Sequence, residues 1–267
     1  MNIGIVGLGV VGGANKAGFE QLGHSVSVHD IQMDTQIQNV ADTECVFVCV
    51  PTPSKDNGDC NTDIVESVIQ ELDDIDYKGI IAIRSSTVPG FTQSMLDKYT
   101  NRQICFVPEF VRERCAEHDF INEHEMLAVG TKDNFVYDTV VKAHGHYPQH
   151  TVQLSPSEAE ILKYYLNLYA ATRVTFANVF YEICQKLDSD YKRVKDAYIL
   201  TGRAGDMYLD VSNDLRGYGG MCLPKDTRAI INLMNKLDLD LDFFKTVDRD
   251  NNKFKTTVFN GMRGEGE

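Results

Sequence analysis

Cys222 sits in the segment Arg216-Gly217-Tyr218-Gly219-Gly220-Met221-Cys222-Leu223-Pro224-Lys225-Asp226, one thiol between a glycine pair and a Pro-Lys-Asp corner. Glycines clear side chains from the approach, so a substrate or another backbone can come close. Lys225 adds positive charge, which favours thiolate over thiol. If Pro224 opens a helix, Asp226 stands one turn beyond Cys222. The pattern makes Cys222 a candidate nucleophile.

The other end of the chain carries a second chemical pattern. A short apolar run, Asn2-Ile3-Gly4-Ile5-Val6, leads into Gly7-Leu8-Gly9-Val10-Val11-Gly12. In such a loop the first glycine makes a tight strand-to-helix turn. The second lets a pyrophosphate approach, and the third lets helix and strand pack closely. The helix that follows offers its free N–H groups to the phosphates. Ser25–His29 then forms a second strand closed by Asp30, about 20 residues beyond the glycines, where an acid accepts from ribose hydroxyls. An acid there repels a 2′-phosphate, so NAD is expected over NADP. A glycine-rich turn in another kind of parallel sheet is the plainer alternative, and Asp30 counts against it.

These residues need elements to position them. Strand patterns recur at Val46–Val50, Ile80–Ile83, Ile104–Val107, Met126–Val129 and near Thr151-Val152. Amphipathic helices are expected between them at Asp63–Leu72, Thr92–Tyr99 and Asn134–Ala143. Strands alternating with helices predict an α/β chain whose N-terminal domain, residues 1–154, is a doubly wound parallel Rossmann sheet. Ligands of such sheets bind at the carboxyl ends of the strands. The strand-end loops are Val50-Pro51-Thr52-Pro53-Ser54, Ser85-Ser86-Thr87-Val88-Pro89-Gly90 and Pro108-Glu109-Phe110-Val111-Arg112-Glu113.

At Ser155 the pattern changes. Ser155-Pro156-Ser157-Glu158 is a capping-box start with proline at the first helical position. No glycine or proline follows until Gly202, so one helix is expected from Pro156 to about Leu187. Apolar residues occupy nearly all its faces, which predicts burial on every side. A second subunit is expected to complete that burial, giving a homodimer through residues 156–187. Lys163 and Asn167 interrupt the apolar surface and lie on one face. Lys163 is either a solvent-facing cation with a packed stem or a buried functional one. Helices are expected at Tyr191–Leu200, Lys225–Leu237 and Phe243–Phe259, making residues 155–260 an all-helical dimerisation domain. Residues 261–267 read as a frayed tail.

Composition narrows the classes of function. Of 267 residues, 43% are hydrophobic and 24% charged, which supports a globular core. A net charge of −13 argues against nucleic acid and anionic membrane as partners. The seven cysteines show no paired C-x-x-C spacing, so neither a zinc site nor a disulfide framework is expected, and Cys45 and Cys49 read as small core residues. His144-Gly145-His146 with His150 lacks ligand geometry and reads as a solvated loop, so no metal is expected. A chain that opens on a strand and carries no long apolar span is expected in the cytoplasm.

Taken in order, the motifs resemble the UDP-glucose/GDP-mannose dehydrogenase family. They are Gly7-x-Gly9-x-x-Gly12, Val50-Pro51-Thr52-Pro53, Ser86-Thr87-Val88-Pro89-Gly90, Pro108-Glu109-Phe110-Val111-Arg112-Glu113, Glu160-Ile161-Leu162-Lys163-Tyr164 with Asn167, and Gly217 through Asp226. The resemblance implies oxidation of a sugar-nucleotide primary alcohol to a carboxylate with two NAD. Cys222 would form a thiohemiacetal and then a thioester. Lys163 and Asn167 would stabilise oxyanions. Asp226 and Thr87 would hold a water that takes the alcohol proton, and Glu109 would serve as base for thioester hydrolysis. Gly7, Gly9, Val10, Val11, Gly12, Asp30, Pro51, Thr52, Pro53, Ser86, Thr87, Glu113 and Lys225 would hold the cofactor. Glu109, Phe110, Val111, Lys163, Asn167, Tyr218 and Gly219 would meet the substrate.

The sequence also departs from the family. Members normally continue into a further Rossmann-like domain that helps bind the nucleotide, and that domain is expected to be lacking here. Arg114 stands where glycine is common. Two alternatives follow: a two-electron hydroxyacid-type dehydrogenase acting on a smaller substrate, or a non-catalytic NAD-binding relative.

Overall fold

The computed structural model describes residues 1–254. The chain divides into two compact units, Met1–Lys55 with Cys60–Lys163, and Asp56–Asp59 with the chain from Tyr164 onward.

The first unit is a seven-stranded sheet. Its strands are β1 (Asn2–Val6), β2 (Ser25–His29), β3 (Cys45–Val48), β4 (Ile80–Ile83), β5 (Gln103–Phe106), β6 (Met126–Gly130) and β7 (His150–Leu154), in the order β2-β1-β3-β4-β5-β6-β7. Its helices are α1 (Val10–Gln21), α2 (Asp63–Asp74), α3 (Phe91–Lys98), α4 (Ala116–Asn122) and α5 (Asn134–His144). Side chains alternate across the sheet, as the period of two dictates. Ile3, Ile5, Phe47, Ala82 and Cys105 enter one apolar layer with Phe19 and Phe120. Val6, Val46, Val48, Ile81, Ile83 and Phe106 enter the other with Ile69 and Leu72. Burying each large side chain contributes about 1.5–3 kcal/mol, so a strand apolar on both faces is stable only with helices on both sides.

The expected doubly wound sheet is present, with one departure: β6 runs antiparallel to β5, and their one ladder pair is Phe106 with Gly130. The link between them holds only the seven-residue α4 and one short 3-10 turn (Glu113–Cys115), and α4 packs on α1. No helix returns along the sheet, as a parallel crossover requires. The strand order reverses at β1, and this sets the ligand crevice beyond the carboxyl ends of β1 and β3.

The long helix α6 (Pro156–Lys186) has 31 residues. Its capping box is present: the Ser155 amide donates to Glu158 Oε2 at 2.7 Å and the Glu158 amide donates to Ser155 Oγ at 3.4 Å. The boundary between the units falls within it, after Lys163. The expected burial on every side is not met among the described residues. Tyr164, Leu168, Ala171 and Tyr181 are buried, whereas Ile161, Tyr165, Tyr169 and Phe176 are all more than half exposed.

The second unit adds α7 (Tyr191–Ile199), α8 (Leu223–Lys236) and α9 (Phe243–Asn251). The end of the helix expected to Phe259, and the tail at 261–267, lie outside the described residues. No helix among the described residues is long and apolar enough to cross a membrane.

Candidate active site

In the first unit the glycine loop follows β1 directly. Gly7 has φ +91°, and a Cβ there would stand 2.7 Å from the Cys49 carbonyl oxygen. A Cβ on Gly12 would stand 1.9 Å from the Gly7 carbonyl oxygen. Gly9 differs, since a Cβ there meets nothing within 4 Å. Two glycines therefore serve the fold, and Gly9 leaves an open cradle. No side chain caps the first turn of α1, so the N–H groups near Val10 and Val11 point into that opening. A cavity of about 380 Å³ lies beside it, lined by Gly9, Val10, Gly13, Glu113, Arg114 and Cys115 among others.

Asp30 stands at the end of β2. Its Oδ2 accepts from the Leu8 amide at 2.6 Å and its Oδ1 from the Gln32 amide at 2.8 Å. These backbone hydrogen bonds, Leu8 first, hold its carboxyl below the usual range and keep it an acceptor. Open cradle, uncapped helix start and ionised acid fit a dinucleotide with free ribose hydroxyls. Of the loop after β3, Thr52 is buried while Pro51 and Pro53 are exposed.

Glu109 is buried and paired with Arg84, whose Nε donates to Glu109 Oε2 at 3.1 Å and whose Nη2 donates to the same oxygen. Glu109 Oε1 accepts from the amides of Phe110 at 2.9 Å and Val111 at 3.3 Å. Burial raises its pKa, but the Arg84 charge and hydrogen bonds outweigh burial, and the net shift is downward. Lys163 Nζ donates to the Glu109 backbone carbonyl and lies 5.7 Å from the centre of the Phe110 ring. Lys163 is thus half-buried and engaged, not a solvated surface cation.

Thr87 requires a correction. Expected to face a water and the cofactor, the residue is 1% exposed and its hydroxyl donates to Glu160 Oε1 at 3.2 Å. Glu160 also accepts from the Gly90 amide at 2.6 Å, the Thr92 amide at 2.8 Å and the Thr92 hydroxyl at 2.7 Å. Glu160 is the anchor of the Ser86–Gly90 loop. An acid placed in an apolar helix was the signal for it. His144 is a second correction. It closes α5 fully buried, its ring against Phe19, Phe47 and Phe120, whereas His146 and His150 are exposed.

In the second unit, Cys222 is exposed and stands at the N-cap position of α8, with Pro224 in the first turn. The Asp226 amide donates to the Cys222 carbonyl at 2.9 Å, closing the expected helical turn. Asp226 is fully buried. Its Oδ2 accepts from Asn167 Nδ2 at 2.5 Å and its Oδ1 from Lys225 Nζ at 2.7 Å. Tyr218 was expected to meet substrate, but it belongs to the core. It is 2% exposed, packs with Ala171 and Val247, and exchanges two hydrogen bonds with Asn251, at 2.7 and 2.9 Å. Burial pushes its hydroxyl up to about 12. Gly219 stays partly exposed beside it.

The first unit is thus a dinucleotide-binding fold, and the second presents a thiol at a helix start beside a buried carboxylate. The chain belongs to the UDP-glucose/GDP-mannose dehydrogenase family. Models of its NAD binding domain and its central domain match residues 31–146 and 157–253. The glycine loop and Asp30 precede the first match, so their part rests on the geometry above. UDP-glucose 6-dehydrogenase YwqF of Bacillus subtilis (strain 168) is 24% identical, the match covering 94% of this chain and 66% of the relative. GDP-mannose 6-dehydrogenase of Pseudomonas syringae pv. tomato is 29% identical, over 78% of this chain and 50% of the relative. A UDP-glucose dehydrogenase structure from the hyperthermophilic archaeon Pyrobaculum islandicum superposes with a TM-score of 0.87 at 24% identity, over 94% of this chain and 68% of that one. The chain spans half to two thirds of the length of these curated relatives.

Proposed function

We propose that this chain is an NAD-dependent dehydrogenase acting on the CH–OH of a nucleotide sugar, taking a primary alcohol to the carboxylate through a covalent adduct on Cys222. One observation carries the reading: the hydrogen bond from Asn167 to Asp226 ties the polar face of α6 to the first turn of α8, at whose start the thiol stands. A structural helix pair gains nothing from an exposed thiol at that place, whereas a nucleophile gains access and a favourable dipole.

Gly7, Gly9, Gly12 and the α1 amides would hold the pyrophosphate of NAD, Asp30 its ribose hydroxyls, and the 51–53 loop, Ser86 and Glu113 its remaining surface. NAD there supplies the hydride acceptor for each of two oxidations. The Cys222 thiolate adds to the carbon of the aldehyde and forms the C–S bond of a thiohemiacetal. After that carbon is oxidised to the thioester, water attacks it and the thiolate leaves. Asn167 and Lys163 donate to the oxyanions that form on the substrate oxygen, and Lys163 releases the Glu109 carbonyl to do so. Asp226, fixed by Asn167 and Lys225, holds the water that removes the alcohol proton. Glu109 acts as hydrolytic base only from within its ion pair, which makes it a weak base. Phe110, Val111 and Gly219 border the substrate.

Incubation with NAD and a panel of UDP- and GDP-sugars tests the reading. Two NADH per substrate, with acid product abolished in Cys222→Ala, is expected. One NADH per substrate, unaffected by that substitution, marks a two-electron enzyme instead. Tight NAD binding without turnover marks a non-catalytic relative.

The exposed stripe Ile161, Tyr165, Tyr169, Phe176 and Phe180 on α6 further supports a homodimer through that helix. Sedimentation over a range of concentrations should show a dimer that Tyr169→Glu weakens, and a monomer at every concentration would sink this part.

A further inference from the structure

Beneath the Glu109 loop lie two buried polar residues, Arg84 and His144, to which the proposed mechanism gives no role. Arg84 follows β4 with its side chain 1% exposed, and its guanidinium carbon lies 5.6 Å from the Phe47 ring centre and 5.5 Å from that of Phe120. Two arms of its fork hold Glu109 Oε2, and the third nitrogen, Nη1, lies 3.1 Å from His144 Nε2. His144 Nδ1 is 2.8 Å from the Val140 carbonyl oxygen. A carbonyl only accepts, so Nδ1 carries the proton and Nε2 presents its lone pair to Arg84. The imidazole is therefore neutral, and every arm of the guanidinium has an acceptor. The carboxylate so held turns back on its own loop through the Phe110 and Val111 amides, and the carbonyl of that loop receives Lys163.

We propose that Arg84 and His144 are positioning residues for Lys163: His144 fixes the fork of Arg84, Arg84 fixes the Glu109 carboxylate, and the loop that this carboxylate organises presents the carbonyl that orients the Lys163 ammonium. The proposal rests on the dehydrogenase reading only for the chemical task given to Lys163. A core role alone would not need the histidine to be an acceptor. A phenylalanine would fill the space among Phe19, Phe47 and Phe120 equally well, but it would leave one buried arginine arm unmatched.

The test compares the wild-type protein with His144→Phe, His144→Gln and Arg84→Met. Acylation of Lys163 by a small amine-reactive ester is followed by peptide mass spectrometry, with far-UV circular dichroism as the control for folding. His144→Phe and Arg84→Met should raise the Lys163 acylation rate about tenfold, the population change that accompanies one lost charged hydrogen bond, while His144→Gln, which restores an acceptor, should stay within about twofold of wild type. Acylation at the wild-type rate in folded His144→Phe and Arg84→Met overturns the proposal. So does unfolding of His144→Phe and His144→Gln alike, which would make the pair part of the core and nothing more. Absence of NADH formation by wild type would sink the dehydrogenase reading instead, and it leaves the acylation rates readable.

Discussion

At the glycine loop the main chain does the holding, and at the Cys222 turn side chains do. Gly7 and Gly12 allow backbone to lie against backbone at spacings no Cβ tolerates, and Asp30 adds hydrogen bonds from the neighbouring strand. At the Cys222 turn, where Gly217 and Gly220 also have positive φ, amide side chains hold the main chain. Asn178 Oδ1 accepts from Arg216 Nε at 2.8 Å and from the Gly217 amide at 3.3 Å. Asn251 pairs with both polar groups of the Tyr218 main chain, and Asn167 with Asp226. The difference teaches where each region is fragile. A cradle made of backbone fails by steric clash, whereas a turn held by amide side chains fails by leaving buried polar groups without partners.

The sharpest way to break the comparison is a pair of alanines in one loop. Gly12→Ala should abolish both NAD binding and stable folding of the first unit, because the new Cβ meets the Gly7 carbonyl oxygen at 1.9 Å. Gly9→Ala should keep the thermal midpoint near wild type yet lose NAD affinity, since its Cβ fills only the open cradle. Calorimetric titration and thermal unfolding separate the two. A second substitution probes the turn. Asn251→Ala leaves the Tyr218 amide and carbonyl buried without their partner, and should cost about 2–4 kcal/mol of stability while raising Cys222 alkylation rates. Urea unfolding and thiol titration check this, and unchanged alkylation would show that the turn is held elsewhere.

The smallest expected effect is one of pH. Burial, and then the Arg84 charge, hold the His144 imidazole well below its ordinary value of 6.5. The folded protein thus takes up this proton less readily than the unfolded chain. The stability His144 contributes is complete above 6.5 and is lost as pH falls towards the folded value. Glu109, also shifted downward, adds its loss only below its ordinary 4.5. Between those two values, unfolding free energy should therefore fall more steeply in wild type than in His144→Gln.

Much of this was legible in the sequence because the signals were local. The glycine spacing, the capping box at Ser155 and the Cys222-to-Asp226 turn each depend on residues a few positions apart. The polar contacts beneath the site were not legible. Arg84, Glu109 and His144 come from three distant segments, and no period or spacing relates them. Tyr218 misled because glycines on either side make a residue look accessible, yet the partner that buries it, Asn251, lies on α9. Thr87 misled in the same way, its hydroxyl taken by Glu160 from a helix 73 residues further on. The antiparallel approach of β6 had one signal, the lack of an expected helix between Ile104–Val107 and Met126–Val129, since a parallel crossover needs one.

Asp30 also bears on coenzyme choice. The oxygen that would greet a ribose belongs to the same carboxylate that staples the Leu8 amide. Exchanging Asp30 for a neutral or basic residue to admit a 2′-phosphate would untie the nucleotide cradle as well as retune its selectivity. A successful conversion would need a second, compensating acceptor for that amide, so selectivity and loop shape in this chain must evolve together.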